Sequence, residues 1–422
     1  MDAPRNRLAQ NIRRLAHLDL PGGGQVVVQD GYAYVGHMKP PCGTTILDVR
    51  DPKNPRVVSE IKLSDDFSHT HKVRVAGDLM VTNVEQNRRH FLRKGERLPE
   101  LREKLGARAS DAELAAALGV APSQIAELDA ARARGYRDGG FRVWDISDKK
   151  KPRELCHHRT FGFGTHRFDM DRDYAYISTE MAGYLGNILV IYSLKDPAKP
   201  VEVARWHMPG QHLAAGEKPA WKGYRNRLHH ALRVGDEMWA ACWHAGFRVL
   251  DVSDISDAKV IGSHDYHPPF PEPTHTILPV AGSHGGRRIA VGVDEEHDHT
   301  PGRLHAFLWV FDVTDLSNIH ALSAYDVSEL DSPWARAPGR FGAHQFREKL
   351  DEPLVFATWF AGGLRVVDVS DPLAPVEAGW FIPEPVGDEP SPQSNDVDVD
   401  ANGVIYMIDR NRGFDILEMT NR

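Results

Sequence analysis

TTILDVRDPKNPRVV, residues 44–58, is an apolar, β-branched run that stops at an aspartate, turns through Asp, Pro and Asn, and resumes as a second short β run. That is the pattern of a strand, a tight turn and a strand. The phrase returns as FRVWDISDKKKPREL (141–155), LVIYSLKDPAKPVEV (189–203), FRVLDVSDISDAKVI (247–261), LWVFDVTDLSNIHAL (308–322) and LRVVDVSDPLAPVEA (364–378), and FDILEMTNR (414–422) is a shortened copy. Upstream of each copy stands another strand pair joined by a short polar turn, as in HKVRVAGDLMVTNVE (71–85) and HALRVGDEMWAACWH (230–244).

Each unit therefore holds four short antiparallel strands. Seven units of this kind predict an all-β chain folded as a seven-bladed β-propeller. The expected blades span about 24–63, 69–160, 165–207, 229–266, 274–326, 343–383 and 395–422. The last unit stops after its third strand, and IRRLAHLDL (12–20) is a spare strand near the start. Pairing the two would close the ring and remove an open edge. The recurring phrase resembles the LVIVD-repeat proteins, named for this strand signature, over essentially the whole chain apart from one insertion. The resemblance implies the propeller fold and no single activity.

The chain has 422 residues, 41% hydrophobic and 26% charged, which is enough for a sizeable core and rules out wholesale disorder. No apolar run approaches the ~20 residues of a membrane span, and the start, MDAPRNRLAQNIRRLAHLDL, lacks a secretory pattern. The three cysteines, Cys42, Cys156 and Cys242, form no disulfide framework or metal knuckle. A cytoplasmic setting with no membrane partner is expected. A net charge of −8 argues against a nucleic-acid partner. Histidine, at 22 residues, is unusually abundant.

Aligned on their first strands, five units begin with histidine: His71, His166, His230, His275 and His344, with Asp396 at this place in the seventh. First strands of a propeller line its axis, so these imidazoles are expected to converge on one cation. Fourteen residues further on, three units carry Glu85, Glu180 and His244, the longer fifth hairpin supplies Glu295, the sixth unit offers Trp359 and the seventh Asp409 or Arg410. Carboxylates there would accept the second ring N–H of a metal-binding histidine. His69, His229, His297 and His299 are adjacent candidates. His157, His158, His264 and His267 fall on or after outermost strands.

The long connections, 86–138, 206–227, 295–306, 327–342 and 384–394, all emerge on the rim that carries the histidines. They bring Trp206, Trp221, Tyr224, Arg225, Trp334, Arg336 and Arg340, which suggests a covered pocket. Tyr224, Arg340 and His244 are candidates to touch substrate, and Trp243, Trp359, His229 and Asp396 to line the pocket. The largest insertion, 88–137, reads as helical, with a Ser110/Glu113 capping box and a break at Gly119. A helical lid or a contact with a second copy of the chain is the expected use.

Neutral imidazoles without thiolates suit Fe(II) first, then Mn, Zn or Cu. The pattern is similar to that of the carotenoid cleavage oxygenases, propellers that hold iron with four histidines backed by glutamates, although no sequence motif is shared. The expectation is an iron-dependent oxygenase or oxidoreductase acting on a small organic substrate, aromatic ones included. A Mn- or Zn-assisted lyase or hydrolase is the second reading, and a non-catalytic scaffold the third. Walker, GxSxG and Rossmann fingerprints are absent from the sequence.

Overall fold

The aspartate that ends each third strand explains the repeat. Asp48, Asp145, Asp251, Asp312 and Asp368 each accept the backbone N–H two residues on, from Arg50, Ser147, Ser253, Thr314 and Ser370. A second aspartate three residues later does the same: Asp51, Asp148, Asp254, Asp315 and Asp371 cap Lys53, Lys150, Ser256, Ser317 and Leu373. Two consecutive side-chain-closed turns reverse the chain tightly, and the following strand pairs back.

The computed structural model describes residues 8–106, 108–223, 225–297 and 299–421. The strands group into seven antiparallel meanders. Unit 1 is Gly23–Gln29, Tyr32–His37, Cys42–Asp48 and Arg56–Lys62. Unit 2 begins at Val73–Ala76 and contains the insertion, and units 3, 4, 5 and 6 begin at Phe161–Met170, Asn226–Val234, Thr274–Pro279 and Ala343–Phe346. Unit 7 is Ser394–Val399, Val404–Asp409 and Arg412–Met419, completed by Ile12–Pro21. The first strand of every unit neighbours the first strand of the next, and that of unit 7 neighbours that of unit 1. The first strands thus close a propeller ring about one axis.

The amino-terminal segment spans two units. Ile12 lies opposite Met419 and Leu18 opposite Phe414, while Ala9 and Gln10 lie opposite Phe381 and Trp380 of unit 6. Between the sheets the core is aromatic and branched: Phe247 meets Phe311 at 5.1 Å and Tyr266 meets Trp309 at 4.8 Å. Such ring pairs add ~0.5–1.5 kcal/mol each beyond their burial.

The insertion forms short helices, Arg89–Leu92, Leu98–Leu105, Asp111–Leu118 and Ile125–Arg134, around Leu98, Leu114, Ile125 and Leu128. The Ser110/Glu113 capping box is present, and Gly119 ends its helix in the left-handed conformation at φ 61°. Arg89 and Arg93 tie the insertion to the rim by pairing with Glu85 and Glu180. No helix among the described residues is long and apolar enough to cross a membrane.

Candidate metal centre

Each unit opens with an irregularity at the same place. Gly24 is an extra residue between the paired Gly23 and Gln25, and His166, His275, His344 and Asn395 are extra in their own strands. In unit 4 the ladder jumps from Asn226 to His230, and the unpaired stretch ends at His229. In unit 2 it jumps from His69 to Val73 across His71. A bulge breaks the strict alternation of side chains and re-aims the extra one. The re-aimed positions, read round the ring, are Gly24, His71, His166, His229, His275, His344 and Asn395. Five imidazoles in consecutive units follow one another at centroid separations of 5.2, 5.0, 4.3 and 4.5 Å.

Hydrogen bonding assigns their tautomers. His166 Nδ1 donates to Glu85 Oε2 (3.1 Å) and His229 Nδ1 to the His275 carbonyl (2.9 Å). His275 Nδ1 donates to Thr276 Oγ1 (2.9 Å), whose own proton goes to Gln345, and His344 Nδ1 donates to the Asn395 carbonyl. All four therefore present an Nε2 lone pair, and the Nε2 atoms of His166 and His229 lie 3.1 Å apart. His71 differs. Asn83 spends its oxygen on the Lys72 N–H and offers its amide N–H to His71 Nδ1, which leaves the His71 proton on Nε2, facing Glu85 at 4.0 Å.

The two carboxylates have different places. Glu85 accepts hydrogen bonds from His166 Nδ1–H and His69 Nε2–H and pairs with Arg89, so it stands behind the ring. Glu295 faces the Nε2 side, 3.9 Å from His275 and 3.9 Å from His344, and is held by Arg340 at 2.7 Å. Ligand atoms of His229, His275 and Glu295 lie within 4.8 Å of one another, as do those of His69, His71 and Glu85. Both buried groups have ligand atoms close enough for a metal ion, but in the second the ring nitrogens of His69 face Glu85 and the Met38 carbonyl and His71 turns its N–H to Glu85. Burial above all, with nearby cations, holds His166, His229 and His275 well below the usual histidine range, so they stay neutral imidazoles, and the His275 Nε2 lone pair accepts an N–H from Arg167 at 3.2 Å. Burial pushes Glu295 up, but His297, His344 and Arg340 outweigh it and keep the carboxylate ionised.

These residues open into a cavity of about 270 Å³, also lined by Lys39, Lys72, Trp243, His297 and Arg410. Trp243 sits at φ 58°, a conformation that costs a bulky residue ~1–3 kcal/mol. Its ring lies 4.7 Å from His229 and 5.1 Å from His297, under the Arg227 guanidinium. Below the ring a charged floor closes the channel. Glu348 receives Arg167, Arg74, Gln25 and Gln345, and His230 Nδ1 stands 3.3 Å from it. Burial and Arg167 push the Lys72 amine beside this floor well below the lysine range. Beyond it a second cavity, about 1280 Å³, opens on the opposite face.

The structure thus brings His71, His166, His275, His344, His229, Glu85, Glu295, Arg340 and Trp243 together and leaves others apart. His230 points to the floor, and His229 takes the ring position expected of it. Asp396 is likewise displaced by Asn395 and accepts the Val26 N–H, lining the lower cavity. Glu180 orients no histidine: it receives Arg93 and the Phe163 N–H. Trp359 is core, packed on Tyr325, while Phe360 lies 4.8 Å from His344. His244 lies outside the ring cavity, in an adjoining vestibule of about 790 Å³, where burial and Arg225 push it down to about 4. Tyr224 lies outside the described residues. His157, His158 and His264 sit on outer strands and His267 just after one.

A third His/Glu group, Glu296, His299 and His305, has a different character. His305 donates from Nδ1 to Glu296 (3.0 Å) and from Nε2 to Glu329 (3.1 Å), so it is an imidazolium with no lone pair to offer. Burial lowers its pKa, but the two carboxylates outweigh this and raise it to about 9 from 6.5. A raised folded-state pKa gives stability that is full below pH 6.5 and lost as pH rises through about 9. His305→Gln is expected to cost ~1–3 kcal/mol in thermal or denaturant unfolding at pH 6, and little at pH 10. An equal loss at both pH values would contradict the assigned charge.

The LVIVD repeat matches residues 23–62 and 357–381. The chain is similar to the C-terminal WD40 domain of Sif2, with a TM-score of 0.54 and 8% identity over 97% of this chain and 99% of that one. The computationally designed Ika8 protein aligns over 94% of this chain and 96% of its own at 8% identity, with a TM-score of 0.48. At such identity the Sif2 likeness speaks for the propeller fold and nothing further. No curated protein shows significant sequence similarity to the chain.

Proposed function

We propose that this LVIVD-repeat β-propeller is a metal-dependent oxidoreductase whose cation lies on the propeller axis between His229, His275 and Glu295, flanked by His166 and His344. One observation carries the reading. Four imidazoles have their Nδ1 protons committed elsewhere, so four Nε2 lone pairs face one region: those of His166 and His229 stand 3.1 Å apart, and that of His275 is met by an Arg167 N–H at 3.2 Å. Without a cation between them those lone pairs repel. Packing alone gives no reason to face them together.

The donor chemistry supports iron(II). Two histidines and a carboxylate, with positions left open, are the donor set of non-haem iron oxygenases, and the absence of thiolates disfavours a structural zinc site. Bound there, the ion would supply the redox and dioxygen chemistry that no side chain provides. The chain's own residues do the rest. Glu85 fixes the tautomer of His166, Arg340 holds Glu295 towards the centre, and Arg89 with the insertion helix covers the rim. Trp243 walls one side, and the Glu348–Arg167 floor closes the other.

Elemental analysis of protein made without a histidine tag tests the reading. About one iron per chain, with dioxygen consumed on turnover of a small organic substrate, is expected. Manganese or zinc without dioxygen uptake would point to a lyase or hydrolase, and a metal-free protein to a scaffold. Glu85→Gln is expected to weaken metal binding ~10–100-fold without unfolding the chain, as loss of a ligand's hydrogen-bond partner does. Competition with a fluorescent chelator measures this, and unchanged affinity would remove Glu85 from the account.

A further inference from the structure

Two of the seven ring positions carry no imidazole, and they are neighbours: Gly24 of unit 1 and Asn395 of unit 7. Two basic side chains reach into this imidazole-free sector. Lys72 Nζ donates to the Gly24 carbonyl (2.7 Å), Asn395 Nδ2 donates to the same carbonyl (2.9 Å), and Arg410 donates to Asn395 Oδ1 (3.1 Å). Both bases are therefore held by neutral acceptors. Among the described residues no carboxylate oxygen lies within 4.0 Å of Lys72 Nζ or of the Arg410 guanidinium. The other arginines of the cavity are matched: Arg89 with Glu85 at 2.6 Å, Arg340 with Glu295 at 2.7 Å, and Arg167 with Glu348 at 2.8 Å.

Lys72 and Arg410 line the same cavity as His71, His166, His275, His344 and Glu295. Lys72 is 3% exposed. Lys72 spends one N–H and the Arg410 guanidinium one of its five, so donors are left over on both side chains. Asp396 and Glu348 act on Lys72, and Glu295 and Asp409 on Arg410, only at longer range, and a ligand that brings a carboxylate into direct contact recovers part of the cost of burying the two bases. The guanidinium fork also matches a carboxylate in shape. The approach is basic as well: Arg225, Arg227 and Arg303 line the adjoining vestibule against one carboxylate, Glu272, and the two cavities share His90, Trp243 and His297. Such a surface steers anions inward.

We propose that Lys72 and Arg410 form a carboxylate subsite on the open side of the histidine ring, and that the substrate of the axial centre is a small organic acid. The reaction this serves rests on the metal reading, but binding of the anion does not. A purely structural role, in which the two bases only tie units 7, 1 and 2 together, predicts no anion affinity.

Benzoate, with benzyl alcohol as its uncharged counterpart, is the probe. Titration calorimetry would use the full chain as purified and after removal of metal by chelation. Benzoate is expected to bind both forms and benzyl alcohol to bind far more weakly. Arg410→Met and Lys72→Met should each weaken benzoate by about tenfold or more, the worth of a charge-assisted hydrogen bond, with metal content unchanged. Arg410→Lys should recover part of the loss, and it keeps the test open if a methionine variant does not fold. Benzoate that binds no better than benzyl alcohol, or binds the Arg410 variants as tightly as the parent, overturns the subsite. Inorganic phosphate displacing benzoate at much lower concentration would overturn the carboxylate assignment. Arg410-dependent binding in a protein that never holds metal would sink the metal reading and leave the subsite standing.

Discussion

Replacing His275 by alanine is expected to lower metal affinity by more than about 100-fold, beyond the loss seen when only a supporting partner is removed. His275 stands at the centre of the arc, with its Nδ1–H donated to Thr276 and its Nε2 3.9 Å from Glu295, and a metal there would take the lone pair that Arg167 now meets at 3.2 Å. His344 and His166, anchored through Nδ1 to the Asn395 carbonyl and to Glu85, hold their own places on the ring and would have to shift to fill the vacancy. His229→Ala should behave alike. His71→Ala should not. The amide of Asn83 occupies its Nδ1 and its proton faces Glu85, so the loss there should be several-fold at most. Metal content after dialysis, read beside circular dichroism to exclude unfolding, separates the three variants. Equal losses for His71 and His275 would mean that the tautomer assignment is wrong.

Deleting residues 8–21 is expected to be the most damaging change to the fold. Ile12–Pro21 is the outer strand of unit 7, and the segment before it covers the outer edge of unit 6. Its loss strips the partner from Arg412–Met419 and removes Ile12 and Leu20 from the core, at ~1.5–3 kcal/mol for each buried side chain. The Arg412–Asp19 and His17–Asp415 pairs go with it. The exposed strand edges would then template association between chains. Lower thermal stability and aggregation are expected, with recovery when a peptide of residues 8–21 is added. A truncated chain that melts like the parent would show that the ring does not depend on this closure.

How far the sequence carries can be read at individual positions. The repeat announces itself because its aspartates do local work: each closes a turn two residues away, so turn and strand boundaries are written in adjacent letters. The insertion was legible for the same reason, through the Ser110 cap and the Gly119 stop. The ring was legible as a family of positions but not in phase. His229 replaces His230, Asn395 replaces Asp396, and Phe360 rather than Trp359 flanks His344. Each of these differs from expectation by one residue. In strands such a slip moves a side chain to the other face, and the bulges that open the first strands insert the slip without leaving a residue signature.

The glutamates mark a second limit. Glu85 and Glu180 hold the same place in their repeats, yet one meets His69 and His166 and the other meets Arg93 of the insertion. What decides between them is an arginine far from either in the fold's repeating plan. Glu295 was foreseen behind the imidazoles, and the longer fifth hairpin carries it round to their Nε2 side. Lys72 gave no signal of its own, and Arg410 only its place at the hairpin return of the seventh unit. They matter because Gly24 and Asn395 leave that sector of the ring without an imidazole, which shows only once the bulges set the register.

The central claim is that imidazoles from separate blades share one cation with Glu295, and anomalous diffraction from crystals of untagged protein, recorded at the absorption edge of the metal it carries, tests it most directly. The account predicts a single peak on the axis, about 2.0–2.2 Å from Nε2 of His229 and His275 and from a Glu295 oxygen. A protein grown with ample iron that shows no such peak, or whose only peak lies among Glu296, His299 and His305, would contradict it.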